Sequence, residues 1–370
     1  MKLFFFTALT FFSLVFFFLG FRLTGIGHIS WIIAGIPFTL ILSYLLVLRE
    51  RLPQKWDRIF RWLVYLSMGF ISFVLGLLVL REILYLLLLA IHTPFAIELL
   101  STKATIAILL GSVFLFIYGS WNALRGPRIV NVSVPIVDLP EELHGFSMIQ
   151  LSDLHLGPGV NRKFVEKVIK LTLSLHANIL VMTGDMVDGS FHDYKKSASG
   201  FAQLTKKFPV LYVTGNHEYY KDGQLWVDYF SFLGIKPLLN EHMTVQLNGK
   251  SVLFAGVTDP AEKMLRPNSK PSIAKALENA PSADIKILLA HQPNIATDAA
   301  PHFQLQLSGH THGGQFFPWI FLIGFFQKFP KGLMKSGAMW VYVNVGTGFW
   351  GPSLRVGTRS EISLLRLVKA

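Results

Sequence analysis

The chain has 370 residues, of which 52% are hydrophobic, and a formal net charge of +12 at pH 7. It contains no cysteine, which excludes disulfides, thiolate metal sites, iron–sulfur clusters and cysteine nucleophiles. The positive charge fits an anionic membrane surface or an anionic substrate. No nucleic acid partner is expected, because no stripe of Lys and Arg interleaved with aromatic residues forms a recognisable motif.

The excess of apolar residues lies almost wholly before Trp121. About 20 apolar residues in a helix cross the hydrocarbon core of a bilayer, which is about 30 Å thick. The sequence therefore predicts a transmembrane helical region over residues 1–125, followed by an α/β domain over residues 126–370. The predicted spans are four, at residues 3–21, 29–48, 60–80 and 104–121.

Two further features of the apolar region affect its topology. The first run begins with Lys2 but lacks a small-x-small cleavage site, so we interpret it as a retained helix and not as a signal peptide. Residues 83–91 follow the charged pair Arg81 and Glu82 and are too few to cross a bilayer. We interpret them as an interfacial or re-entrant helix, broken at Pro94. If they did cross, the C-terminal domain would lie on the opposite side.

The connection between the second and third spans is strongly basic. The positive-inside rule places this loop in the cytoplasm. Alternation from there predicts a multi-pass protein of the cell (inner) membrane with a cytoplasmic catalytic domain. The basic residues of this connection are Arg49, Arg51, Lys55, Arg58 and Arg61.

Beyond residue 126 the sequence alternates short β-rich runs with helical patterns. The runs over residues 146–151, 178–182 and 209–213 each end in a polar side chain beside a small residue, and residues 164–175 have helical spacing. This alternation predicts βαβ units and a parallel sheet. Ligand sites of such sheets gather at the carboxyl ends of the strands.

The later part of the domain has a different pattern. Asn248 and Gly249 separate two β-rich runs, which predicts a hairpin with a type I′ turn. Residues 131–140 are an extended lead-in that contains prolines. The other predictions are helices at 224–233 and 272–279, and strands at 243–247, 251–257, 285–290, 303–307, 340–345 and 361–368.

Seven polar residues with metal-ligand chemistry follow predicted strands: Asp153, His155, Asp185, Asn216, His291, His310 and His312. Each has a structural alternative, such as a turn residue bonded to its own backbone or a helix cap. Their joint occurrence at strand ends favours one site, and mixed nitrogen and oxygen donors suit Mn, Fe or Zn. Walker A, Rossmann and nucleophile-elbow motifs are all absent from the sequence.

In chain order these motifs resemble the five-block signature of calcineurin-like metallophosphoesterases: Asp153-x-His155, Gly184-Asp185, Gly215-Asn216-His217-Glu218, His291 and Gly309-His310-x-His312. Their finer pattern is similar to the bacterial membrane-associated YkuE/YaeI-type branch. The resemblance implies a four-layer αββα sandwich with two divalent metal ions. One ion would be held by Asp153, His155, Asp185 and His312, and the other by Asp185, Asn216, His291 and His310, with Asp185 bridging.

The resemblance also implies a catalytic role for His217 and Asp185. His217 resembles the residue that stabilises the transition-state phosphate or protonates the leaving oxygen, and its alternative is a packed histidine beside the ligands. Two ions clamp the attacking and leaving oxygens of a phosphoryl displacement and supply hydroxide at neutral pH. The implied activity is hydrolysis of a phosphodiester or pyrophosphate by a metal-bridging hydroxide.

An aromatic run over residues 316–329 follows the last histidine motif directly. It is either core packing or an interfacial lip that dips into the membrane, where Lys328, Lys331 and Lys335 would meet anionic headgroups. Pro318 and Gly324 argue against one continuous helix here. The lip interpretation favours membrane lipids as partners and a lipid-linked substrate, such as a phospholipid headgroup, an undecaprenyl-type pyrophosphate or a UDP-acylated sugar.

Two other classes of function are open at this point. A non-catalytic membrane scaffold or binding module would have a degenerate phosphoesterase domain, but the complete set of ligand types argues against it. A transporter or channel is disfavoured because the predicted spans carry almost no internal ionisable residue.

Overall fold

The computed structural model describes residues 2–23, 25–44 and 54–370. The chain divides into two compact units. The first contains Met1–Trp121 together with Gly351–Val356, and the second contains Asn122–Trp350 together with Gly357–Ala370. Within the basic connection, Arg49 and Arg51 lie outside the described residues, as do residues 45–48 of the predicted second span.

The first unit is built from apolar helices. Two stretches, Ile59–Ala90 and Thr102–Leu124, are long and apolar enough to cross a membrane by length and composition, and Leu9–Arg22 and Ile29–Ser43 are shorter apolar helices. The helices are α1 (Lys2–Arg22), α2 (Ile29–Ser43), α3 (Gln54–Ala90), α4 (Phe95–Glu98) and α5 (Thr102–Leu124).

The prediction of a separate helix over residues 83–91 is wrong, because α3 runs without interruption through the charged pair. The Arg81 guanidinium lies 2.6 Å from the Glu82 carboxylate, and Arg22 also pairs with Glu82. Arg81 donates a second hydrogen bond of 2.6 Å to the carbonyl of Arg22. These contacts neutralise Arg81 and Glu82, the charged pair at which the third predicted span was expected to end. The 37 residues of α3 extend about 55 Å, enough for one crossing with an extension beyond it.

The second unit contains two six-stranded sheets. The first has the order β1-β12-β2-β3-β4-β5 and the second β10-β11-β9-β8-β7-β6. Their strands are β1 (Arg128–Ile136), β2 (Ser147–Leu151), β3 (Ile179–Thr183), β4 (Val210–Val213), β5 (Lys236–Pro237), β6 (Glu241–Leu247), β7 (Lys250–Gly256), β8 (Ile285–Leu289), β9 (Leu305–Ser308), β10 (Gly332–Ser336), β11 (Met339–Val343) and β12 (Glu361–Lys369).

The sheets pack face to face, and helices cover their outer faces. Buried side chains from both sheets, such as Val181 and Ile287, belong to one core cluster. A second cluster joins the first sheet to helices α6 and α10, and a third joins the second sheet to α11 and α12. The helices are α6 (Arg162–Leu173), α7 (Phe191–Ala198), α8 (Ala202–Thr205), α9 (Asn216–Tyr220), α10 (Gly223–Phe232), α11 (Ile273–Ala276), α12 (Ala296–Ala299) and α13 (Trp319–Phe326). The predicted four-layer αββα sandwich is confirmed.

The predicted supersecondary units also form. Strands β2, β3 and β4 pair in parallel, with α6 between the first two in sequence. Strands β6 and β7 form the predicted hairpin, in which Asn248 and Gly249 both have positive φ, as a type I′ turn requires. The lead-in over residues 131–140 was not predicted as a strand, yet its first six residues belong to β1. Pro135 is tolerated there because β1 is an edge strand. The predicted helix over residues 272–279 is reduced to the single turn of α11.

Candidate metal centre

The carboxyl ends of five strands, drawn from both sheets, bring the seven predicted ligands together. Asp153 and His155 follow β2, Asp185 follows β3, and Asn216 follows β4. The remaining three, His291, His310 and His312, follow β8 and β9. These residues meet at one edge because β3 pairs in parallel with both β2 and β4, and β8 pairs in parallel with β9.

One group of donor atoms is formed by Asp153, His155 and His312. The Nε2 atoms of His155 and His312 are 3.0 Å apart, and Nε2 of His312 lies 3.4 Å from Oδ1 of Asp153. Oδ2 of Asp185 lies 3.8 Å from Nε2 of His155. All four side chains are buried, so their polar atoms face one another and not water.

A second group is formed by Asp185, His291 and His310. Oδ2 of Asp185 lies 3.1 Å from Nε2 of His291, which in turn lies 3.3 Å from Nδ1 of His310. The amide oxygen of Asn216 lies 3.0 Å from the same Nδ1. Asp185 therefore lies beside both groups of donors.

These distances fit the coordination of a transition metal. Two ligands bound at about 2.1 Å and separated by 90° to 109° lie about 3.0–3.4 Å from each other. Most of the donor separations in both groups fall in that range. Ring nitrogens facing each other at 3.0 Å also repel unless a proton or a cation lies between them. The donor set therefore fits divalent metal ions, and these residues could hold them.

The ionisation of two of the imidazoles is also that of metal ligands, whereas the charge of Asp185 and a hydrogen bond to it outweigh burial and hold the pKa of His291 well above its usual range. Burial lowers the pKa of His155 to about 3 and that of His310 to about 4, which keeps both imidazoles neutral, the form that binds metals. Burial raises the pKa of Asp153 to about 6, and the neighbouring Asp185 charge adds to the shift. A bound cation would offset this cost of burying carboxylates.

Several residues of the site other than glycine have a left-handed backbone conformation. A left-handed conformation is rare for side-chain-bearing residues and costs on the order of 1 kcal/mol or more each. Such outliers persist where the surrounding structure needs them, commonly at functional sites. Five predicted ligands have positive φ, between 51° and 72°: Asp153, His155, Asp185, His310 and His312.

Glu218 holds two of the ligand loops together, a role that sequence reasoning missed. Its fully buried carboxylate accepts backbone N–H bonds from Asp185 at 3.0 Å, Met186 at 2.7 Å and Gly215 at 2.7 Å. The loops after β3 and β4 are thus tied to one side chain. The signal in the sequence was its place three residues after Gly215, the N-cap residue of α9, where an acid completes a capping box.

The loop that carries Asp153 is supported from the other sheet. The backbone N–H of His310 donates to the Asp153 carboxylate at 2.9 Å. The segment after β11 contributes two further bonds, from Thr347 N–H to the Ser152 carbonyl at 2.7 Å and from Gly348 N–H to the Asp153 carbonyl at 3.1 Å. Both sheets therefore position the first ligand.

His217 lies beside the donor groups and is held by a residue that the sequence did not single out. Its Nδ1 lies 2.7 Å from the carboxylate of Asp188, and its backbone N–H donates to Asp185 at 2.8 Å. Burial lowers the pKa of His217, but the charge of Asp185 and the hydrogen bond to Asp188 raise it to about 9. The ring is therefore protonated at neutral pH, and its Nε2 remains available as a donor.

Two aromatic side chains flank His217 at the surface. The ring centroid of Tyr220 lies 4.9 Å from that of His217, and the ring centroid of Trp350 lies 5.9 Å from it. Gln315, which ends the histidine loop, fixes Trp350 by two hydrogen bonds to its backbone, at 2.8 and 2.9 Å. The entrance beside His217 is therefore aromatic and tied to the ligand loop.

Part of the aromatic run over residues 316–329, Trp319–Phe326, forms the helix α13. Pro318 precedes the helix, as expected, but Gly324 lies inside it and does not break it. None of its residues is buried, and Phe321, Phe325 and Phe326 are 68%, 84% and 76% exposed. The alternative of core packing is therefore wrong for this helix but right for Phe316 and Phe329 at the ends of the run, which are buried.

A two-sheet αββα sandwich with a convergent set of carboxylate, amide and imidazole donors defines a metallophosphoesterase-like protein. The family model for calcineurin-like phosphoesterases matches residues 146–314. An uncharacterized metallophosphoesterase of Campylobacter jejuni is 33% identical over 82% of this chain and 76% of its own length. The chain belongs to the calcineurin-like phosphoesterase family.

Two other relatives come from distant organisms. A zebrafish (Danio rerio) protein named transmembrane protein with metallophosphoesterase domain is 35% identical over 73% of this chain. The match spans 64% of the zebrafish protein's length. The uncharacterized metallophosphoesterase YkuE of Bacillus subtilis is 27% identical over 62% of this chain and 81% of its own.

Proposed function

We propose that the protein is a membrane-anchored phosphoesterase that hydrolyses a phosphodiester or pyrophosphate with two divalent metal ions, Mn, Fe or Zn. The observation that carries this proposal is the position of Asp185 beside two groups of donors that together use all seven predicted ligands. Asp153, His155 and His312 would hold one ion, and Asn216, His291 and His310 the other, with Asp185 shared. The completeness of this set disfavours the non-catalytic scaffold.

The chain's own residues have distinct tasks in this reaction. Bound ions supply positive charge and a water of lowered pKa. The protonated His217 donates from Nε2 to a phosphoryl or leaving-group oxygen, while its bond to Asp188 orients the ring. Glu218 keeps the ligand loops in register, and Trp350 with Tyr220 forms an apolar wall for the group attached to the phosphate.

The test uses the purified full chain in detergent with Mn²⁺ and bis-p-nitrophenyl phosphate. We expect hydrolysis, and a loss of about a hundredfold or more in both Asp185→Asn and His217→Ala, because each removes a group at the reacting phosphate. His302→Ala, an exposed histidine outside the site, is the matched control. Robust activity in both site variants would exclude the proposed mechanism, and a lack of bound transition metal would revive the scaffold.

Membrane anchoring is part of the proposal. Its support is the pair of long apolar helices, the two shorter ones before them, and the name of the zebrafish relative. The continuity of α3 favours one crossing where the sequence left a second one open. We retain the multi-pass arrangement in the cell (inner) membrane, with the phosphoesterase domain in the cytoplasm.

A lipid-linked substrate is the finer part of the proposal. Helix α13 presents exposed Phe321, Phe325 and Phe326 directly after the histidine loop, which suits insertion into an interface. Two of the three lysines near it are engaged within the domain, Lys328 over the Phe329 ring and Lys335 over the Trp340 ring. Attraction to the leaflet would thus rest mainly on the aromatic side chains.

A further inference from the structure

A cavity lies between the edges of the two sheets, away from the candidate metal ligands. Its volume is about 700 Å³, and its walls come from the edge strands β1 and β10 and from residues 357–361. None of the seven predicted ligands lines it. We call it the edge cleft and define it by Arg128, Lys331 and Arg359.

The edge cleft is strongly cationic. Arg128, Lys331 and Arg359 line it, and the only carboxylate among its lining residues is Glu361. That carboxylate is 5% exposed and accepts hydrogen bonds from the Tyr342 hydroxyl at 2.9 Å and from the Val345 N–H at 3.3 Å. Arg128 and Lys331 are exposed, and within the described chain neither forms an ion pair with a carboxylate.

The chemistry of these walls suits a phosphate group. Guanidinium groups bind phosphate through paired, charge-assisted hydrogen bonds, and an ammonium group adds a point charge. Asn131 and Ser133 of β1 add neutral polar side chains to the same wall. The volume is within the range of small-ligand sites, so a phosphate can enter together with a glycerol- or sugar-sized group.

The edge cleft also adjoins the loop that carries His310 and His312. The Lys331 side chain packs against Gly313, where an added Cβ would lie 3.3 Å from its Cδ. The hydroxyl of Thr358 donates to the Gln315 carbonyl, and that of Thr311 donates to the Pro330 carbonyl at 2.6 Å. A ligand in the cleft would therefore touch residues that hold the histidine loop.

We propose that the edge cleft binds a phosphate-bearing ligand, either a free phosphorylated small molecule or the headgroup of an anionic phospholipid, as an accessory group distinct from the phosphoester at the metal centre. The exposed edges of β1 and β10 could alternatively pair with a peptide strand. The cluster of three cations favours the anion. Binding here does not depend on hydrolysis, so it can be tested whether or not the proposed activity is found.

The experiment is isothermal titration of the full chain in detergent with sn-glycerol 3-phosphate, with glycerol as the uncharged comparison. We expect binding that weakens with salt and that falls about tenfold in each of Arg128→Gln and Lys331→Gln, since each removes a charge-assisted hydrogen bond. Lys335→Gln, on β10 but outside the cleft, should bind as the parent does. Unchanged thermal midpoints and metal contents establish that the variants are folded.

Two further binding probes identify the source of the phosphate group. Inorganic phosphate tests a free ion, and phosphatidylglycerol vesicles, diluted in phosphatidylcholine, test a headgroup. Loss of either interaction in the Arg128→Gln/Lys331→Gln double variant supports the proposal and assigns the source. Failure of all three probes to bind, or binding that the double variant leaves unchanged, overturns it, and capture of an unphosphorylated peptide by β1 or β10 would do the same.

Discussion

Asp188 belongs to neither group of candidate metal donors, and its carboxylate contacts His217. In the proposed reaction it would therefore act through that ring. We expect Asp188→Asn to lower kcat by about ten- to a hundredfold and to leave KM and metal content near the parent values, since the imidazolium loses its orienting charge. Single-turnover hydrolysis and metal analysis measure these quantities. Asp228→Asn, an exposed acid on α10, is the matched control.

A fall in metal content together with kcat would contradict this assignment. It would show that Asp188 supports the ligand loop as a whole and not the orientation of one ring.

Glu218 connects the loops after β3 and β4 through its hydrogen bonds to their backbone. Replacing its carboxylate by the neutral amide in Glu218→Gln weakens three bonds to backbone N–H groups that are buried with it. We expect a loss of about 2 kcal/mol, seen as a fall of about 5 °C in the thermal midpoint, and weaker metal binding. Glu278→Gln, an exposed acid elsewhere in the domain, should leave both unchanged. An unaltered midpoint in Glu218→Gln would refute the role.

The seven candidate ligands could be predicted because each lies within a few residues of the end of one of five strands. Asp188 and Glu218 could not, although they lie beside predicted residues. Asp188 pairs with a ring nitrogen 29 residues away, and two of the three amides that bond to Glu218 are 33 and 32 residues away. An acid in a turn also has many other uses. The left-handed backbone at five ligands was equally hidden, because positive φ outside glycine has no reliable sequence signal.

Helix α13 is the element whose role can be tested separately from the chemistry. The triple variant Trp319→Ser/Phe321→Ser/Phe325→Ser should lower hydrolysis of a vesicle-presented phosphoester about tenfold or more, because it removes apolar side chains that would enter the interface. Hydrolysis of bis-p-nitrophenyl phosphate should stay within about twofold of the parent.

The control for α13 is Phe232→Ser, which removes a phenylalanine that is 82% exposed on α10. It should alter neither activity. Equal losses on both substrates in the triple variant would mean that α13 supports the fold of the metal centre and does not contact lipid.

Among the secondary-structure elements, the central strands with strong apolar patterns were predictable from the sequence, and the edge strands were not. The central strands β2, β3, β4 and β8 lie within two residues of their predicted ends. Strand β1 was hidden by Pro135, and β10 by the lack of β-branched residues over Gly332–Ser336. Both are edge strands, where pairing on one side alone tolerates residues that a central strand would not.

At the scale of the whole molecule, composition alone separated the apolar helices from the α/β domain. It could not show that Gly351–Val356 belongs with the helices, because that assignment depends on packing and not on sequence order. Leu354 is fully buried, and the backbone N–H of Arg355 donates to the Gly119 carbonyl at 3.0 Å. A six-residue segment far along the chain thus belongs to the helical unit.

Because of that segment, the polypeptide passes between the two units three times, after Trp121, after Trp350 and after Val356. Trp350 is the last residue before one of these passages, and Gln315 binds it from the histidine loop. A soluble form of the phosphoesterase would therefore need a new connection from residue 350 to residue 357, and not only the removal of the first 121 residues.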